Sequence, residues 1–135
     1  MANALYGLGR QAFLDGNISW SSDDIKAVLV DTALYTVNID VDQFLSAIVA
    51  GARIATSSNL SGKTSTLGVA DASDVTFTAV TGATVEAVVL CQDTGVAATS
   101  PLIAYIDTAT GLPVTPGGGD IIIQWDSGPN KIYKL

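Results

Sequence analysis

Asp24-Ile-Lys-Ala-Val-Leu-Val-Asp31 decides the fold class of this chain. Read as a strand, it points Ile25, Ala27 and Leu29 to one face and Val28 and Val30 to the other. Both faces are then largely apolar, with Lys26 near the strand's open end. That is the pattern of a central strand covered on both sides. The β-branched content favours a strand over a helix, and the run is too short for an independent helix. Polar runs at 19–24 and 31–36 let the chain turn on either side.

On the N-terminal side, residues 3–14 read as a short helix with Asn3 as N-cap. Leu5, Leu8 and Ala12 share one face, with Phe13 beside them. Gly7 and Gly9 each cost about 1 kcal/mol relative to Ala, so this helix needs something to dock on. Residues 18–20 suggest a short strand in which Trp20 is half-buried and its N–H seeks an acceptor. Tyr35 and Val37 fit an edge strand. Asp40-Val-Asp-Gln43 has the form of a capping box opening a short helix with Phe44, Leu45 and Ile48, closed near Gly51. Strands follow at 53–57, with Ile54 inward, and weakly at 63–70.

Val75-Thr-Phe-Thr-Ala79 alternates strictly, with Val75, Phe77 and Ala79 toward the core. Residues 85–91 are apolar on both faces, and the two segments form the best hairpin candidate. Further strands are expected at 102–106, 121–125 and 131–135. About eight strands, turn signals every 8–12 residues or so and one or two short helices predict a mainly β fold. The expected architecture is an antiparallel β-sandwich or a jelly-roll-like barrel. The expected organisation is a single β domain over residues 1–135 with an N-terminal helix at about 3–14.

Only 14% of the 135 residues are charged, against about 25% in a typical domain. Ala, Thr, Val and Gly must therefore form part of the surface, which suits a protein that buries surface in an assembly. The net charge of −7 repels phosphate backbones and speaks against a nucleic-acid partner. No apolar run is long enough for a membrane span. Residues 1–6 lack a basic region followed by an apolar core, so no secretory signal is expected. The single Cys91 excludes an internal disulfide and sits in an apolar run, as a small buried hydrophobe does.

The chain has no histidine. That removes the commonest general base and metal ligand, and with them a Ser-His-Asp triad and a Cys/His zinc site. Among the acids, Asp107 or Asp120 with Asp126 are candidate pairs for glycoside chemistry. They sit beside turns, where Asp usually caps backbone N–H groups. Asp40 with Asp42, and more loosely Asp71 with Asp74, have the spacing of calcium ligands but lack an EF-hand's Gly and distal Glu. Gly117-Gly-Gly119 has no following Lys and helix, so a hairpin tip is expected rather than a phosphate cradle. Trp20, Trp125, Tyr35 and Tyr105 fit either a sugar-binding platform or the core, and aromatic residues in strands favour the core. The expectation is a non-enzymatic protein with no cofactor and no metal.

Several stretches together resemble a family of small virion proteins of tailed bacteriophages and prophages. They are Ala2-Asn-Ala-Leu-Tyr6, Gly9-Arg10, Ile18-Ser-Trp20, Asp24 through Asp31, and Ala52-Arg-Ile-Ala-Thr56. Further along come Gly62-Lys-Thr64, Gly68-Val-Ala-Asp71, Asp74-Val-Thr-Phe77, Leu102-Ile-Ala-Tyr-Ile-Asp107, Gly111-Leu-Pro-Val114 and Trp125. The resemblance spans nearly the whole chain and consists of structural segments, not a catalytic motif. It implies a capsid decoration (cement) protein, made in the host cytoplasm and bound to the capsid exterior. Its expected partners are the major capsid protein and further copies of itself, as a trimer or dimer, with no nucleic acid and no membrane. The alternative is a small tail, neck or baseplate component, including a host-glycan-binding module. Leu5, Tyr6, Leu8 and Phe13 are the expected assembly contacts, with packing on the chain's own sheet as their competing role.

Overall fold

The computed structural model describes residues 3–129 and 131–135. The stretch 24–31 becomes β2 (Ile25–Val30), in a five-stranded antiparallel sheet. The order is β1 (Ala4–Leu5), β7 (Leu102–Ile106), β6 (Ala87–Gln92), β2 and β3 (Arg53–Thr56). Apolar residues on both faces put β2 and β6 inside the sheet. Ile25, Ala27 and Leu29 join Val88, Leu90 and Ile103 on one face. Val28 and Val30 join Val89, Cys91 and Leu102 on the other. Two layers cover these faces. One consists of two small antiparallel pairs, β4 (Val69–Ala70) with β9 (Tyr133–Lys134) and β5 (Val75–Phe77) with β8 (Ile121–Ile123). The other is the irregular segment 31–52, which lays Tyr35, Leu45 and Ile48 on the sheet. The result is a layered, mainly β structure whose sheets do not close into a barrel.

The one α-helix among the described residues, α1 (Gly7–Leu14), is shorter than its sequence suggested. Residues 4–5 pair with β7 instead, at the register Ala4↔Tyr105 and Leu5↔Ala104. Asn3 is therefore not an N-cap. Its Oδ1 accepts from the Asp107 N–H at 2.9 Å and its Nδ2 donates to Thr108 Oγ1 at 2.7 Å, pinning the edge of the sheet. Tyr6 occupies the cap position with no side-chain cap bond.

The expected hairpin between 75–79 and 85–91 does not form. β5 pairs with β8, and β6 lies between β2 and β7. The reason lies in the faces. Thr76 is exposed, so β5 suits an outer layer, whereas β6 is apolar on both faces and requires the middle of the main sheet. The chain leaves β5 through Ala79, exposed and at φ 51, which ends the alternation there. The capping box at 40–43 is also absent. Two 3-10 turns, Leu45–Ala47 and Ala50–Ala52, replace the helix. They do so because Phe44 bridges to Pro101, and Leu45 and Leu102 exchange backbone bonds with Ser100 and Gln43, which tie this segment to the sheet edge. Neither 18–20 nor 35–37 is a strand, and 63–70 contributes only β4 with a Thr64–Asp71 bridge.

Candidate interaction surfaces

The expected assembly contacts fall into two groups. Tyr6 is 0% exposed, which removes it from the surface of the folded chain. Its hydroxyl shares a 2.8 Å hydrogen bond with that of Tyr35, which donates to Asp42 Oδ2 at 2.6 Å. Asp42 Oδ2 also accepts from the Asn38 N–H at 2.9 Å. This buried relay fastens the segment 31–52 to the sheet, and burial holds both phenols well above their ordinary pKa. Leu5 and Phe13 are partly buried against the main core, and Leu8 is half-exposed on α1. Gly9 lets the helix lie directly on β7, with its Cα side against the Leu102 carbonyl and Ile103.

The four aromatic residues weighed as a sugar platform are all buried. Trp20 donates from Nε1 to the Thr64 carbonyl, and Trp125 from Nε1 to the Ser73 carbonyl, each at 3.0 Å. They serve as core with their polar ends satisfied. The carboxylates act locally as well. Asp74 accepts from the Trp125 N–H, Asp120 from the Ala79 N–H and Asp126 from the Gly128 N–H. Among the described residues, no three acidic or Cys side chains converge as metal ligands would. Gly118 and Gly119 exchange backbone bonds with Val80 at an exposed tip. Cys91 is buried, and loss of hydration, with Asp93 nearby, pushes its thiol up to about 12.

Two surface features have the chemistry of contacts. The first is the outer side of the segment 31–52 with the loop 94–100. The 3-10 turn at Leu45–Ala47 packs on that at Ala97–Thr99. No charged side chain lies in 43–52 or 94–106, while Leu34, Val49 and Val96 are each more than half exposed.

The second is a pocket of about 270 Å³ lined by Phe13, Trp20 and Tyr133, with Ser65, Gly68 and Leu135 on its margin. Tyr133 meets Trp20 edge-on at 5.3 Å between ring centres and Phe13 tilted at 6.3 Å. Leu14 and Leu67 stand out beside these lining residues, 86% and 91% exposed. Of this constellation Phe13 and Trp20 were singled out by the sequence, and Tyr133 only as part of an expected strand at 131–135. Leu67 carried a weak sign, an aliphatic residue directly before Gly68 in a polar stretch.

No family model and no curated protein sequence matches this chain. Among the described residues, no helix is long and apolar enough to cross a membrane.

Proposed function

We propose that this protein is a virion structural component of a tailed phage, a capsid decoration protein that binds the outer shell at repeated positions. The observation that carries the reading is the uncharged face formed by 43–52 and 94–100, with Leu34, Val49 and Val96 exposed on it. Leu34 lies near Gly51, and the turn at Ala97–Thr99 packs on that at Leu45–Ala47, so the segments that carry these residues adjoin. A face of this kind on a chain of net charge −7 is suited to burial against a protein partner. Decoration requires complementary surface and no chemistry, and the carboxylates described above are engaged in backbone capping.

The buried state of Trp20, Trp125, Tyr35 and Tyr105 favours this role over a glycan-binding tail module, which would need exposed rings. The test is the copy number of the protein in purified particles relative to the major capsid protein, for the wild type and for Val49→Asp. A fixed simple ratio that V49D abolishes supports decoration. A handful of copies per particle places the protein in the tail or neck, and absence from particles overturns the virion reading.

A further inference from the structure

Leu67 is held in a conformation that costs its own chain stability and returns no packing. It sits at φ 54, ψ 34, followed by Gly68 at φ 79, and the Val69 N–H bonds back to the Thr66 carbonyl. This is a type I′ turn, whose first central position ordinarily takes Asn, Asp or Gly. A branched aliphatic residue is strained there. At 91% exposure Leu67 makes almost no contact in return. Its neighbours Ser65 and Gly68 line the aromatic pocket, so a projecting knob stands at the rim of an apolar hole. The hole, about 270 Å³, is smaller than most small-molecule sites, which run to roughly 300–1,000 Å³, and suits a side chain.

We infer that a second copy of this chain docks here about a two-fold axis, each Leu67 seated in the other copy's pocket against Trp20 and Tyr133. A knob and a hole side by side form a self-complementary patch, which a two-fold contact requires. Charge points to the same occupant. No lining residue of the pocket carries a charged side chain, so two copies of net charge −7 can meet here with little repulsion. The proposal does not rest on the virion reading and concerns the free protein.

The test is the solution mass of the full chain by sedimentation and light scattering over a range of concentrations. The wild type is expected at the mass of two copies. Leu67→Asp is expected at one copy, or to dissociate at least tenfold more readily, with an unchanged circular dichroism spectrum, since Leu67 supports nothing in its own fold. Leu67→Asn, a residue suited to the left-handed position, should weaken association in the same way while leaving the turn intact. A wild type of one-copy mass throughout overturns the proposal. So does an assembly that L67D and L67N leave intact.

Discussion

Gly9→Ala should destabilise this protein, although helix propensity alone says the opposite. Replacing a helical glycine by alanine favours the helix by about 1 kcal/mol. At Gly9 the added methyl would fall inside contact distance of the Leu102 carbonyl oxygen and 3.3 Å from Ile103 Cα. Both belong to β7, a strand paired on both sides, so neither can move without disturbing the sheet. Overpacking of this kind costs roughly 1–3 kcal/mol and more where backbone must shift. The steric term wins, and the net loss should be about 1–2 kcal/mol or greater. Gly7 supplies the control. There the methyl would meet Asp40 Oδ1 at 2.7 Å, the far end of an exposed side chain that can swing away. Gly7→Ala should therefore be neutral or stabilising, by up to about 1 kcal/mol. Urea unfolding followed through the fluorescence of the buried Trp20 and Trp125 measures both, with the slope m expected to stay constant. A G9A midpoint equal to or above the wild type would refute the close docking of α1 on β7.

Other consequences are as direct. Cys91 should resist thiol reagents in the native protein up to strongly alkaline pH, because its thiol is pushed up to about 12, and should react on unfolding. Labelling of the native protein at neutral pH at the rate of the unfolded chain would contradict its burial. The Lys26–Asp93 ion pair, 2.9 Å long and partly exposed, should contribute less than about 1 kcal/mol and weaken with salt. Its hydrogen bond lowers the Asp93 pKa and raises that of Lys26. The contribution is therefore lost as pH falls through the Asp93 value below about 4, and as pH rises through the Lys26 value above about 10. A stability difference between wild type and Lys26→Ala that persists undiminished at pH 2 would contradict this. Tyr6→Phe should cost about 1 kcal/mol, since Tyr35 keeps its bond to Asp42. The expected signature is faster hydrogen exchange confined to the segment 31–52.

The central sheet was legible because its strands have no choice of place. The residues of β2 partition between the two cores as their alternation dictates, Ile25, Ala27 and Leu29 to one and Val28 and Val30 to the other. Partner choice was not legible. Residues 75–79 and 85–91 are neighbours in sequence and both extended, and proximity suggested a hairpin. The one-sided burial of Val75 and Phe77 against the two-sided burial of 87–91 separates them into different layers. The segment 40–51 shows the limit of local signals, because backbone bonds to 100–102 override a capping box. At the surface, Phe13 was found through helix periodicity, whereas Leu67 matters through a backbone angle that residue type opposes.

The pairing of β1 with β7 also bears on how the chain is made. Ala4 finds its partner Tyr105 only about a hundred residues later, and β2 waits about sixty residues for β6. At roughly 5–20 residues per second on the ribosome, β2 waits some 3–12 s for β6, the first half of it without β3, with both apolar faces unshielded. The main sheet cannot close until β7, ending at Ile106, has emerged. Through that interval the growing chain exposes apolar strand surface of the kind that pairs with other chains, so its order of strands sets a window of aggregation risk.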